Sequence, residues 1–346
     1  MGISIRPANL QRDRPLLIGF LEEFLAPQSN KQRFDWLYLD NPHGPPRVWT
    51  AVDETSGTLV GVAAAFPRRV WAAGSTVLGY VLGDFCVHPG FRSLGPALQL
   101  QRACLEMMES RLPSLGYDFP SKTMVAVYRR LGAEPRECML RLAKPLRVDR
   151  QIASRVKSRL VARGLRELGN RALNWRNARL SGRPSEEIAL HNGACGEEFT
   201  VLAAHLRNRD QLSVERTAEY LNWRFLAHPF QKFEILAARR KKVLAAYLIF
   251  AHAGEDARIV DLRGLDDPAL LRNLVSQAVE TLRKRGVMTV SVSILAWHSY
   301  VKLFENWGFR RRESCPVVLY PTVTPSPGTG TSQADRWFLM DGDRES

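Results

Sequence analysis

Val87-His88-Pro89-Gly90-Phe91-Arg92-Ser93-Leu94-Gly95-Pro96-Ala97 is the stretch whose reading decides the fold. Upstream of it, Gly79 to Val87 reads as a strand, with Tyr80, Leu82, Phe85 and Val87 apolar. Downstream, Leu98, Leu100, Ala103, Cys104, Met107 and Met108 return at helical spacing. The order is strand, tight polar loop, helix. Such a loop offers free backbone N–H groups and the positive end of a helix dipole to an anion. Gly95 lets the backbone approach a phosphate with no Cβ in the way, and Arg92 adds charge. Pro96 is tolerated in the first helical turn, where its missing N–H would have no partner anyway. The physics describes a pyrophosphate-sized site; a plain strand-to-helix turn would use the same residue types.

Working outward, the chain repeats itself. Arg33-Phe34-Asp35-Trp36-Leu37-Tyr38-Leu39-Asp40-Asn41-Pro42 returns as Tyr220-Leu221-Asn222-Trp223-Arg224-Phe225-Leu226-Ala227-His228-Pro229. In each copy a Trp precedes a Pro by six residues, and two apolar, β-branched segments follow: Val48–Val52 with Leu59–Phe66, and Phe233–Ala238 with Val243–Phe250. Each copy then runs through a further strand and a long helix to a closing segment. Those closings are Tyr128-Arg129-Arg130-Leu131-Gly132 and Phe304-Glu305-Asn306-Trp307-Gly308.

Val87-x-Pro89-x-x-Arg92-x-x-Gly95-x-Ala97, opening a long helix, resembles the acetyl-CoA-binding motif of the Gcn5-related N-acetyltransferase (GNAT) superfamily. Tyr128-Arg129-Arg130-Leu131-Gly132 resembles that family's Tyr-x-x-Leu-Gly-Phe segment, with Ala133 where Phe is usual, and Ile3–Ala8 resembles its first strand. The resemblance covers residues 3–142. It implies an α+β fold in which two GNAT-like units each carry a mixed, mostly antiparallel sheet flanked by helices. The partition expected is a catalytic unit over 1–145, a basic helical linker over 146–190, a second unit over 191–320, and a flexible tail over 321–346 in which Trp337–Met340 returns as a last strand. The paired units resemble bacterial GNAT proteins associated with surface polysaccharides. The second copy departs from the motif: the strand Arg258–Arg263 leads into Gly264-Leu265-Asp266-Asp267-Pro268, where two carboxylates would repel a pyrophosphate.

The resemblance also implies roles. The backbone of Arg92, Ser93, Leu94, Gly95, Pro96 and Ala97 would cradle the pyrophosphate of acetyl-CoA. Phe85, Cys86 and Val87 would run beside the thioester, with the Val87 N–H toward its carbonyl oxygen. Ser121 stands where the family often has an Asn that contacts CoA, and Tyr128 where it often has the acid that protonates the leaving thiolate. For the base there are two candidates. Asp84 is an acid within an apolar strand, and strict alternation puts it opposite Phe85 and on one face with Leu82 and Cys86. A structural hydrogen bond would equally explain it. His88, with an ordinary pKa near ~6.5, is its rival, and a water-relayed path needs neither.

Charge sets the remaining expectations. The 346 residues carry 49 Lys plus Arg against 35 Asp plus Glu, a net +14 that favours an anionic partner. Residues 144–183 hold twelve of those cations and two acids, a net +10. Within them Val161, Leu165, Leu168, Ala172 and Trp175 form one apolar stripe, out of phase with Ala153, Val156 and Leu160, and Gly164 and Gly169 weaken the helix. This is either a broken linker helix packed on one unit with a solvated basic face, or a peripheral contact with an anionic membrane. Nucleic acid ranks below membrane because Trp175 is the one aromatic among the basic residues. Five cysteines with no C-x-x-C pair argue against a disulfide framework or a zinc site and for a reducing, cytoplasmic setting. No secretory leader is expected from Met1–Arg6.

The functional expectation is an acetyl-CoA-dependent N-acyltransferase that acts by direct attack of a primary amine, from an amino sugar or another small amine. The rivals are a peptide or protein N-acetyltransferase, and a non-catalytic GNAT-fold protein that uses its basic linker on an anionic surface. No metal is expected.

Overall fold

The computed structural model describes residues 2–72, 74–92, 94–109, 115–133, 135, 137–149, 152, 158–180, 186–207, 212–320 and 337–345. The expected flexible stretch of the tail, residues 321–333, lies outside them, as do Ser93 and the linker positions Ala153 and Val156.

Among the described residues twelve strands follow one hydrogen-bonded path. In the first half these are β1 (Ile3–Pro7), β2 (Arg47–Asp53), β3 (Leu59–Ala72), β4 (Ser75–Val87), β5 (Leu115–Asp118) and β6 (Glu137–Pro145). In the second they are β7 (Glu187–Leu190), β9 (Glu234–Arg240), β10 (Val243–Ala253), β11 (Asp256–Gly264), β12 (Thr289–Leu295) and β13 (Arg310–Tyr320). Their order is β1-β2-β3-β4-β5-β13-β6-β12-β11-β10-β9-β7. The pairing is antiparallel except at β4–β5 and β11–β12. The order reads the same from both ends, with one exchange at the centre. β6 lies beside β12 of the second half, and the end of β13 lies beside β5 of the first, Val318 opposite Asp118. Each half-sheet is therefore completed by the other's last strand, and the two expected units share one sheet. Off this path, β8 (Leu212–Val214) pairs with β3 and with β14 (Trp337–Phe338). The Trp337–Met340 return is thus split: β14 joins β8, and Met340 bridges to Ile294 of β12.

The repeated Trp segments explain why the halves stay together. Each is a short helix followed by a π-helical turn: α2 (Lys31–Phe34) with Asp35–Leu39, and α7 (Ala218–Leu221) with Asn222–Leu226. The wide turn brings Trp36 and Trp223 face to face, ring centroids 5.3 Å apart. Each indole N–H donates to the other's backbone carbonyl at 2.9 Å, so two buried donors are satisfied reciprocally across the junction.

The closing segments of the copies have a common physical cause. Helices α4 (Lys122–Arg130) and α9 (Tyr300–Asn306) both end with a glycine in the left-handed region, Gly132 at φ 76° and Gly308 at φ 89°. The next N–H, of Ala133 or Phe309, reaches back to the carbonyl of Tyr128 or Phe304 at 3.0 Å. That is the helix-ending geometry only glycine adopts without strain.

Two long helices cover the sheet. On α3 (Leu94–Glu109), Leu100, Cys104, Leu105 and Met108 are buried among Ala63, Ala65, Tyr80 and Leu82 of β3 and β4. On α8 (Pro268–Lys284), Leu270, Leu271, Leu274, Val275, Ala278, Val279 and Leu282 pack on β9, β10 and β11. Asp267 caps α8, accepting from the N–H groups of Ala269 and Leu270 at 2.9 and 3.1 Å, and it also pairs with Arg240. A side-chain carboxylate thus fills the anion position at this helix start.

The linker helix corrects an expectation. Helix α5 (Arg159–Leu180) is continuous through Gly164 and Gly169. It is held by Gly169, against Val148, and by Asn170, which bonds Val148 N and Asp149. The apolar stripe is left exposed: Val161 is 55% exposed, Leu165 43% and Leu168 64%, with Leu160 beside them at 84%. No core is built from this stripe because the small Gly169 gives the closer approach. The side chain of Trp175 lies outside the described residues.

Candidate active site

Strand β4 pairs with β5 over three residues, Gly79–Val81 against Leu115–Tyr117, and the two then part. On its other side β4 pairs with β3 through a bulge: Val62 opposes Cys86 while Ala64 opposes Gly83, so Asp84 and Phe85 face one residue. Asp84 sits in the left-handed region at φ 45°, which Asp tolerates better than most residues. The bulge overturns the alternation argument. Leu82 packs with Tyr80 and Val87 under α3, whereas Cys86 packs on the opposite face with Val81. Asp84 points with Cys86 and away from Phe85, but not with Leu82.

On that face Asp84 is buried and fully engaged. Arg33 donates to both its oxygens, at 2.8 and 2.6 Å, and the Tyr38 hydroxyl donates at 2.7 Å. Arg33 and Tyr38 are five apart, and the π-helical turn between them brings both onto one carboxylate. Burial, then the Asp84 charge, push the Tyr38 hydroxyl well above its ordinary range. Burial likewise pushes the Cys86 thiol up to about 12, so Cys86 is a packing residue and not a thiolate.

A cavity of about 510 Å³ opens where β4 and β5 part, at the junction of the halves. Arg33, Asp84, Phe85, Gln101, Asp118 and Ser121 line it from the first half; Arg224, His228 and Arg258 from the second; Asp341, Arg344 and Glu345 from the segment after β14. His228 is neutral there, its imidazole lowered to about 4 by burial and by Arg224. Tyr128 is wholly buried beneath the cavity rather than on its lining. Its hydroxyl donates to Asp118 at 2.5 Å and accepts from Gln101 at 3.0 Å. Burial raises the Tyr128 hydroxyl, and raises the Asp118 carboxyl to about 7. Ser121 caps α4, accepting from Met124 N at 3.3 Å.

The loop after β4 has the predicted form. Pro89–Phe91 is a single 3-10 turn, and α3 starts at Leu94. Gly95 and Arg92 are exposed, Pro96 is buried and Ala97 half-buried; the side chain of Leu94 lies outside the described residues. The Arg92 Nε donates to the Val87 carbonyl at 3.3 Å, which folds the guanidinium stem back over the strand end. His88 is spent locally: its Nδ1 accepts from Gly90 N at 3.1 Å, and its ring packs edge-on against Phe24. It does not line the cavity, and the local hydrogen bond is the reason.

Sequence reasoning missed Arg33, Asp118, Gln101, His228 and Glu345 as cavity residues, and Tyr38 as the buried donor to Asp84. Asp118 carried a readable signal, an acid in the four-residue strand Leu115-Gly116-Tyr117-Asp118, by the argument applied to Asp84. Arg33, Tyr38 and His228 stood inside the repeated segments. Nothing local marks Glu345, which arrives from the far end of the chain.

Residues 21–136 match the family described as acetyltransferase (GNAT) domain. No curated protein sequence matches the chain. Among solved structures the chain is similar to a conserved protein of unknown function and probable N-acyltransferase from Enterococcus faecalis V583, with a TM-score of 0.66 at 13% identity, covering 92% of this chain and 72% of that one. It is similar to the same extent to a GCN5-related N-acetyltransferase from Anabaena variabilis ATCC 29413. The Saccharomyces cerevisiae N-myristoyltransferase with bound myristoyl-CoA gives a TM-score of 0.56 at 12% identity, covering 92% of this chain and 82% of that one. At these identities the likeness is one of fold.

Proposed function

We propose, on the premise that the chain is a GNAT superfamily protein with its GNAT domain at residues 21–136, that it transfers an acyl group from acyl-CoA to a primary amine. The observation that carries this reading is the parting of β4 from β5 directly ahead of an exposed helix start. The residues fit the cosubstrate. The first turn of α3 presents N–H groups that have no partner within the helix, Gly95 adds no side chain over them, and Arg92 stands exposed beside them. The corresponding helix start of the second half is filled by Asp267, which supports a single acyl-CoA site per chain.

Acyl-CoA supplies an activated thioester carbonyl. The chain does the rest. Residues 92–97 hold the pyrophosphate, and Phe85–Val87 align the thioester along the free edge of β4, with the Val87 N–H as oxyanion donor. Tyr128 serves the leaving sulfur through its contact with Asp118. Asp84, engaged by Arg33 and Tyr38, fixes the bulge that shapes the cavity, and His88 fixes the loop. The acceptor is an amino sugar or another small amine, with a peptide amine the enzyme-class alternative; the 510 Å³ cavity suits a small molecule. Release of free CoA thiol from acetyl-CoA in the presence of glucosamine, a diamine or a lysine peptide tests the activity. Arg92→Glu should abolish both turnover and the thermal stabilisation by CoA. A protein that binds CoA and never transfers it would instead be a non-catalytic GNAT-fold binding protein.

A second feature bears on where it acts. No described helix is long and apolar enough to cross a membrane. Helix α5 turns Leu160, Val161, Leu165 and Leu168 to solvent within a segment of net charge +10. Apolar side chains flanked by arginine are the chemistry of an anionic lipid surface, each cation near it contributing about 1 kcal/mol. We infer a peripheral contact there, made by these exposed apolar side chains and the arginines around them. Co-sedimentation with phosphatidylserine vesicles should fall at least severalfold in Leu165→Asp/Leu168→Asp, and binding unchanged by those substitutions would reject it.

A further inference from the structure

Among the described residues four carboxyl groups line the cavity, and they divide in two. Asp84 is engaged by Arg33 and Tyr38; Asp341 is paired with Arg258 at 3.3 Å and Arg344 at 3.0 Å. Asp118 and Glu345 have no ion-pair partner among the described residues. Asp118 closes β5 one residue after that strand leaves β4, so it stands where the two strands open. Glu345 comes from the segment after β14. Its side chain lies so close to β4 that a Cβ on Gly83 would fall 2.5 Å from its Cγ, which only glycine at position 83 avoids.

The segment that carries Glu345 is pinned. Arg216 and Met340 N both bond Asp343 Oδ2 at 2.8 Å, the Tyr117 hydroxyl bonds Asp343 O at 2.9 Å, and Arg224 donates to the carbonyls of Gly342 and Arg344 at 3.1 Å. A segment held by two buried arginines is a fixed wall of the site.

Resting on the acyltransfer reading, we propose that Asp118 and Glu345 form the acceptor site, that the acceptor enters as a primary ammonium, and that Asp118 takes its proton. The two carboxylates hold the ammonium beside the free edge of β4. One proton passes from nitrogen to Asp118. The freed lone pair forms the C–N bond to the acyl carbon as the C–S bond breaks, and that electron pair stays on sulfur. The sulfur takes up the proton that Asp118 received, directly or through the Tyr128 hydroxyl bonded to it. The second nitrogen proton leaves to solvent, so amide, CoA thiol and one free proton balance the ammonium and thioester consumed. The groups around Asp118 agree with this role: Tyr128 from α4, itself bonded by Gln101 of α3, Cys104 from α3, and Glu345 and Arg344 from the 337–345 segment. Burial, with Glu345 adding to it, places the Asp118 titration at about 7, where a base works best at neutral pH. Neutral amines and hydroxyl acceptors would gain nothing from two carboxylates.

The test is steady-state CoA release with acetyl-CoA and glucosamine, cadaverine or a lysine peptide, from pH 5.5 to 9, on three proteins. Asp118→Asn should keep its calorimetric affinity for CoA and lose about 10²-fold or more in kcat, together with the acidic limb of the pH profile. Glu345→Gln, at a half-buried position that tolerates it, should raise the amine KM severalfold with the KM for acetyl-CoA unchanged. It serves as the independent arm if Asp118→Asn misfolds. The proposal is overturned if both variants turn over like wild type, or if a merely structural role shows as a lower melting point with an unmoved pH profile and amine KM. Intact CoA binding with no amine accepted also overturns it, while absent CoA binding removes the acyltransfer reading itself.

Discussion

Replacing Arg33 by Met should be among the most destabilising single changes in the protein. Arg33 gives Asp84 two of its three side-chain hydrogen bonds, with the guanidinium 8% and the carboxylate 1% exposed. Without it, a carboxylate only 1% exposed remains at the cavity wall with Tyr38 as its one side-chain donor among the described residues. Breaking a buried pair from one side costs about 3–5 kcal/mol, because the remaining charge has lost its solvent and its partner. Unfolding entropy of ~2 cal/mol/K per residue makes each kcal/mol worth roughly 1.4 °C in a chain of this size, so the melting point should drop by about 4–7 °C. The double variant Arg33→Met/Asp84→Asn should recover most of the loss, since Asn is neutral and tolerates the positive φ of 45° at this site. Asp84→Leu should not recover it, because a leucine in the left-handed region adds strain. The assay is urea unfolding of the full chain at pH 7 with the double-mutant cycle completed. An Arg33→Met variant within ~1 kcal/mol of wild type would refute the claim that this pair is an obligate buried interaction.

Other outcomes follow from the same geometry. The folded Asp118 carboxyl, raised by burial to about 7, lies above its unfolded value of ~3.9, so the folded state binds the proton more tightly. Wild type should therefore lose stability relative to Asp118→Asn as pH climbs from about 4 through 7, by on the order of 4 kcal/mol, and parallel pH–stability curves would contradict this. Gly132→Ala and Gly308→Ala should each cost about 1–2 kcal/mol, read as equal drops in urea midpoint, because both hold the same left-handed helix end. Trp36→Ala and Trp223→Ala should be strongly non-additive in a double-mutant cycle, since each removes the other's acceptor geometry and stacking partner.

What was legible in the sequence was local. The strand–loop–helix at 79–108 could be read because its chemistry lies within one segment: alternation, a glycine, a proline at a helix start, then a 3.6 period. The Tyr128-to-Gly132 and Phe304-to-Gly308 endings were visible for the same reason, a helix end that only glycine closes. Long-range facts were not readable. Neither β6 nor β13 carries a strict alternation, and nothing local to either says which sheet it completes, so the exchange between halves stayed hidden. The Asp84 side chain was assigned one face too many because a single bulged residue shifts every later side chain, and a bulge leaves no mark in composition. Arg33 lies 51 residues from its partner, and Glu345 reaches Gly83 from the other end of the chain; pairing at that range is decided by topology. The basic segment was read as a broken helix and is continuous over Arg159–Leu180, and its approach to the protein runs through Gly169 against Val148 while the apolar stripe stays exposed.

The central claim is that acyl-CoA is held at the α3 helix start that follows β4. Isothermal calorimetry of CoA against wild type and Gly95→Glu tests it most directly. A side chain and a negative charge at that helix start should eliminate measurable binding while the melting point stays within a few degrees of wild type. CoA affinity unchanged in Gly95→Glu would contradict the account.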